Sequence, residues 1–215
     1  MQVVSNGWDA SFVNPVPLPE SRILRFVYVG TISASVPLRE LLAGWAVFHA
    51  AQHSRGFAVS LDLFGHSGFT LAEADRDGNV LSDAAVHSVT YHGPVHKEAV
   101  NDIYQEAHAT VLLLPPAAYV TSGKVFEYMA IGKPIVSVHQ PGRGVSDYLE
   151  QYPLWFPCAS LSTADIAAAF DECATSLRNG GINPVAVAQS AASQFERSAV
   201  LAGPMQRLYR ITTSH

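Results

Sequence analysis

The sequence predicts an α/β domain: a mainly parallel six-stranded sheet with helices packed on both of its faces. Three observations predict it. Short, nearly all-apolar runs rich in Val, Ile, Leu, Phe and Tyr recur along the chain, as strands buried on two faces require. Segments with apolar residues at helical spacing lie between these runs. Gly and Pro punctuate the junctions. Strands that alternate with helices pair in parallel through right-handed crossovers. A chain of 215 residues suffices for one such domain with appendages.

Residues 1–21, with Asn14, Pro15, Pro17 and Pro19, read as an extended lead-in. Leu24 to Gly30 is the first strand. Pro37 opens a helix whose Leu38, Leu41, Leu42, Trp45 and Phe48 share one face. Phe57 to Gly65 is the second strand, and the Asp- and Gly-rich stretch 75–79 a surface turn. Val86 to Gly93 is the third strand. Lys97 to Ala107 is a short helix with Ile103, Tyr104 and Ala107 inward, and Ala109 to Pro115 the fourth strand. Ser122 to Ala130 is a helix stopped by Gly132 and Pro134. Pro134 to Val138 is the fifth strand, Ser146 to Gln151 a short helix and Leu154 to Pro157 the sixth strand. Thr163 caps a helix over about 164–177, with Asp165 in its first turn, and Asn179-Gly180-Gly181 ends it. Helical segments follow from Pro184.

Composition narrows the function. Thirteen Lys+Arg against 18 Asp+Glu give a net charge of -5, which argues against nucleic acid as a partner. Cys158 and Cys173 form no C-x-x-C pair and read as buried thiols of a reducing compartment. No apolar run reaches the ~18–20 residues of a membrane helix, and the start MQVVSNGWD lacks the pattern of a signal peptide, so the location reads as cytoplasmic. His49 and His53 stand at ligand spacing on a helix, but Ala50 occupies the place of the Glu in H-E-x-x-H, and no metal is expected. His92 and His96 lie where a ligand could touch them, whereas His139 reads as core or rim packing. Trp45, Tyr104 and Phe126 read as core. Ser122 lacks the G-x-S-x-G flanks of an elbow nucleophile.

In a doubly wound sheet the ligand crevice lies at the carboxyl ends of the strands, where strand order reverses. Those ends carry Gly30-Thr31, Gly65-His66, Gly93-Pro94 and the loop 115–123. Thr121 to Val136 carries the chemistry. The N–H groups of Ser122, Gly123 and Lys124 at a helix start suit a phosphate. Lys124 adds a positive charge, and Glu127, one turn on, can accept the hydroxyls of a ribose. The plainer alternative is that Lys124 and Glu127 form an exposed i,i+3 ion pair.

KVFEYMAIGKPIV resembles the donor-binding motif of GT-B glycosyltransferases, in particular the retaining family 4. VVSNGWD, FVYVGTIS, YHGPV and YQEAHATVLLLP resemble, in order, other segments of that family's C-terminal domain, so the likeness runs from about residue 3 to residue 160. The resemblance implies a Rossmann-like domain, half of a GT-B fold, that binds a nucleotide sugar without a metal or other cofactor. It implies that Glu127 holds the ribose, that the amides of Ser122, Gly123 and Lys124 hold the diphosphate, that Gly30 and Thr31 face the phosphates, and that Pro94 and Val95 read the base. Neither Tyr119, eight residues before Glu127, nor Val120 beside it supplies the first Glu of the family's E-x7-E pair. Thr31 and Val36-Pro37 stand where the family often carries Arg and Lys, with Arg39 the nearby cation.

On this reading residues 1–21 are an inter-domain linker remnant, 22–180 the nucleotide-sugar domain, and 181–215 helices that cross toward an absent N-terminal domain. The partners implied are a nucleotide-sugar donor and that domain, which also leaves room for peripheral membrane association. The alternatives are a non-catalytic nucleotide-binding module, as Val120 would allow, and a sugar-nucleotide epimerase of the same architecture.

Overall fold

Six strands form one wholly parallel sheet in the computed structural model: β1 (Ile23–Val29), β2 (Ala58–Phe64), β3 (Val89–Gly93), β4 (Ala109–Leu113), β5 (Ile135–Val138) and β6 (Trp155–Pro157). The structure describes residues 15–66, 84–115, 123–140 and 144–192, together with Phe195 and Leu201. The strand order is β3-β2-β1-β4-β5-β6. The chain starts in the middle, winds to one edge, returns to β1 and winds to the other. The reversal between β1 and β4 makes the crevice at their carboxyl ends the expected ligand position.

Alternation along the strands divides the core in two. On one face Phe26, Leu61, Val111 and Val136 pack against α1 (Leu38–Ser54) and α5 (Thr163–Asn179). Phe26, Trp45, Phe48 and Phe170 form an aromatic nest there, with ring centroids 5.1–5.8 Å apart, Phe26 meeting the other three edge-on and Phe48 stacking on Phe170. On the other face Val27, Val29, Leu112 and Ile135 meet α2 (Val100–Glu106), α3 (Gly123–Ala130) and α4 (Val145–Leu149). α6 (Pro184–Val187) and a π turn at Ala188–Ala192 pack over α3. Phe195 reaches Phe126 and Tyr148.

The structure corrects three local expectations. β3 begins at Val89 because Ser88 adopts φ +56°, which no strand tolerates, and Trp45 Nε1 donates to the His87 carbonyl at 2.8 Å to hold that turn. The helix expected from Lys97 starts as a 3-10 turn (Lys97–Ala99) and becomes α-helical at Val100. Ser162 rather than Thr163 caps α5, its Oγ accepting the Asp165 N–H at 3.1 Å. Over its described part the lead-in has no helix or strand, and Leu18 packs on the first core.

Candidate functional site

The switch point is where β1 and β4 part. They pair only at Phe26↔Ala109 and Val27↔Thr110. Beyond this the Val29 backbone faces no strand on the β4 side. Tyr128 of α3 fills the gap: its hydroxyl accepts from the Val29 N–H at 3.2 Å and donates to the Val29 carbonyl at 3.4 Å. One buried hydroxyl thus satisfies both backbone groups of the split ladder, which would otherwise each cost on the order of 1–3 kcal/mol. It also locks α3 to the end of β1. Sequence reading passed over Tyr128, because an aromatic on the buried face of a helix gives no sign of a backbone partner 99 residues away.

The ends of β1, β2 and β3 are stitched together beside it. Gly30 N–H donates to the Phe64 carbonyl at 2.9 Å, Ile32 N–H to His66 at 2.9 Å, and Gly65 N–H to Gly93 at 2.8 Å. The Tyr91 hydroxyl donates to the Gly65 carbonyl at 2.9 Å. Gly65 sits at φ +136°, and a Cβ built there would lie 1.8 Å from the Gly30 carbonyl oxygen. Only glycine allows the two turns to approach so closely. Gly30 is half-buried and Thr31 exposed at this edge, and Pro94 is exposed just after β3. Val95 leans onto the second core.

Gly123 opens α3 and is exposed; no described residue lies within 4 Å of a Cβ built there. Ser122, Thr121 and Val120 lie outside the described residues. Lys124 Nζ donates to Glu127 Oε2 at 2.6 Å and to the Tyr104 hydroxyl at 3.2 Å. Tyr104 in turn donates to the same Oε2 at 3.3 Å. The i,i+3 ion pair is therefore present, but with a buried phenol as its third member. Both charged side chains are about one-third exposed, at 30% and 35%. Their mutual attraction is accordingly screened and worth little to stability. Burial, together with the Tyr128 and Glu127 neighbours, pushes the Tyr104 hydroxyl well above the usual phenol range, so it stays a donor.

Lys133, between the Gly132 and Pro134 that stop α3, has a role that spacing alone does not reveal. It is fully buried, and its Nζ donates to the carbonyls of Tyr104 at 2.7 Å, Gln105 at 2.8 Å and Ala107 at 2.6 Å. These carbonyls end α2, where only that of Tyr104 also receives a backbone donor, the Ala107 N–H at 3.3 Å, so Lys133 caps that helix from outside. Burial pushes its pKa down to about 8. The three acceptors oppose that shift, and the group is cationic at neutral pH. Gly132, at φ +71°, brings the chain against Pro184: a Cβ there would lie 1.8 Å from the Pro184 carbonyl oxygen.

The histidines have other employment. His92 Nε2 meets Asp62 Oδ1 at 2.6 Å, and its ring stacks on Phe64 at 4.3 Å. Asp62 also receives Arg25 Nε at 2.7 Å, and Arg25 reaches Glu106. His139, just after β5, is buried against Ser146 Oγ at 3.1 Å, within the core or rim packing expected of it. His96 is exposed ahead of the 3-10 turn. His49 and His53 stack 6.4 Å apart. Among the described residues no group of three or more His, Cys, Asp or Glu is arranged to hold a metal. No described helix is long and apolar enough to cross a membrane.

The family model described as glycosyl transferases group 1 matches residues 23–176, well over half of the 215. No curated protein matches the sequence. Among solved structures, the sucrose-phosphate synthase of Thermosynechococcus elongatus matches at 20% identity and TM-score 0.70, over 99% of this chain and 53% of that one. Anabaena HepE, in complex with UDP and glucose, matches at 14% identity and TM-score 0.74, over 97% of this chain and 57% of that one. A glycosyltransferase from Rickettsia africae matches at 11% and TM-score 0.73, over 100% of this chain and 58% of that one. The chain thus spans about half the length of these structures, and its fold is the Rossmann-like half of a GT-B glycosyltransferase. With the family model covering the whole sheet, the chain belongs to the glycosyl transferases group 1 family.

Proposed function

We propose that this chain is the donor-binding domain of an enzyme that moves a sugar from a nucleotide-diphosphate sugar to an acceptor. The observation that carries the reading is the placement of Glu127 and Lys124 on the first turns of α3, beside the Gly30–Thr31 turn at the switch point. Glu127 accepts the ribose hydroxyls. The amides of Ser122, Gly123 and Lys124 hold the diphosphate at the positive end of α3. Gly30 and Thr31 face the phosphates, and the backbone at Pro94 and Val95 reads the base. The ammonium of Lys124, engaged with Glu127, acts on the leaving diphosphate through its field; with the helix dipole it takes the place of a metal. HepE crystallised with UDP-glucose, and the pneumococcal O-GlcNAc transferase GtfA with UDP and GlcNAc, support uridine diphosphate sugars as the first donors to test.

Acceptor contacts and further catalytic groups come, on this reading, from an N-terminal domain, through which a membrane surface could also be met. The buried, unpaired Cys158 and Cys173 fit a cytoplasmic location. Residues 1–215 bind donor but transfer no sugar to a simple acceptor; robust transfer by this chain would contradict the half-enzyme assignment. The site itself is tested by calorimetric titration of UDP, GDP and ADP, free and as sugars. Glu127→Ala removes hydrogen bonds to a charged acceptor, so affinity for the preferred nucleotide falls about 10- to 100-fold. Thermal stability falls by only about 1–3 kcal/mol, because the ion pair is screened and the main loss is the acceptor of the buried Tyr104 hydroxyl. Equal binding by the wild type and Glu127→Ala overturns the assignment.

A further inference from the structure

Glu127 has two carboxylate oxygens, and the structure treats them differently. Oε2 receives both available donors, Lys124 Nζ and the Tyr104 hydroxyl. Oε1 takes no hydrogen bond from any described residue. The two donors lie 3.2 Å from each other, Lys124 on the part-exposed surface of α3 and Tyr104 at the buried end of α2. Tyr104 is itself immobilised three ways. Its carbonyl is held by Lys133 at 2.7 Å, its ring meets Tyr128 edge-on at 5.6 Å, and only 2% of its surface is exposed.

From this we infer that Tyr104 is a positioning residue for donor recognition: with Lys124 it pins Oε2, so that Glu127 presents Oε1 to the ribose hydroxyls and discriminates ribose from sugars lacking them. A glutamate side chain has three rotatable bonds, and ordering it on ligand binding costs affinity. The phenol, fixed by the core, meets that cost in the folded protein. A hydroxyl whose role is only to pack would contribute equally to every ligand. One that orients Glu127 contributes only to ligands that carry the 2′- and 3′-hydroxyls.

The inference rests on the assignment of Glu127 to the ribose, and the experiment separates the two. UDP, GDP and ADP, each with its 2′,3′-dideoxy counterpart, are titrated into residues 1–215, and the tightest pair is carried forward. The wild type prefers the ribonucleotide by about 10- to 100-fold. In Glu127→Ala that ratio collapses toward one. In Tyr104→Phe the ratio falls about 5- to 10-fold, while affinity for the dideoxy ligand, which also reports folding, stays at the wild-type value. Should Tyr104→Phe not fold, Lys124→Met deletes the other donor to Oε2; its lost charge weakens both ligands alike, and the ratio still falls. If Glu127→Ala abolishes the preference and Tyr104→Phe keeps it whole, the inference is wrong and the ribose assignment stands. If Glu127→Ala keeps the preference, or none of the nucleotides binds, the ribose assignment fails and the inference with it.

Discussion

Lys133→Met is expected to cost the domain about 3–5 kcal/mol. The substitution keeps the length and apolar stem of the side chain but removes all three donors. The carbonyls of Gln105 and Ala107 then lose the Lys133 donor, and that of Tyr104 keeps only the Ala107 N–H at 3.3 Å. Each such group costs on the order of 1–3 kcal/mol, offset in part because no ammonium need be dehydrated. Against a total stability of about 5–15 kcal/mol the loss is severe. For a domain of this size it corresponds to a fall in Tm of about 6–20 °C. Denaturant titration of the variant checks it; a loss below about 1 kcal/mol would mean that water or a shifted α2 takes over the three acceptors.

Gly65→Ala is expected to damage stability and binding together. A Cβ at 1.8 Å from the Gly30 carbonyl oxygen cannot be relieved by a rotamer, since both partners are backbone. Alanine is also strained at φ +136°. The β2 turn must therefore withdraw from the β1 turn, which pulls on the Gly30–Phe64 and Gly65–Gly93 bonds. Stability falls by about 3 kcal/mol or more. Whatever protein remains folded presents a displaced Gly30–Thr31 turn at the proposed donor site. Fluorescence-monitored unfolding and nucleotide titration of the same sample read the two effects. Full nucleotide affinity in a destabilised Gly65→Ala protein would show that this turn takes no part in binding.

The sheet was legible because a strand buried on both faces needs an unbroken apolar run, and Leu24–Gly30, Phe57–Gly65 and Ala109–Pro115 supply it. The start of β3 was not, because nothing in Val86-His87-Ser88 announces that Ser88 takes a positive φ to let the His87 carbonyl meet Trp45. Within the site, Lys124 and Glu127 were visible as an i,i+3 pair at a helix start, a local feature that spacing alone reveals. Tyr104, Tyr128 and Lys133 were invisible in their roles, since each acts through a polar atom on a residue 20 or more positions away. An aromatic on a buried helix face and a lysine in Gly-Lys-Pro look the same whether or not their polar tips are occupied. Ser162 and Thr163 are adjacent hydroxyl residues, and the backbone entering α5 decides between them: Ser162 is extended at ψ 148° and therefore stands outside the helix.

The Tyr128 bridge at the split between β1 and β4 sets an order of events for a chain being born. Val29 leaves the ribosome 99 residues before Tyr128 does, about 5–20 s earlier. During that interval β1 can pair with β2, but the two polar groups on its other side have only water. A nascent chain ending before α3 can hold the first two strands and α1, yet its Gly30 turn lacks its final anchor. The crevice at the carboxyl ends of β1 and β4 thus acquires its shape only once α3 has been made. Stalled or truncated translation products lacking α3 would accumulate as open half-sheets, exposing the edge of β1 to other chains and to quality-control proteases.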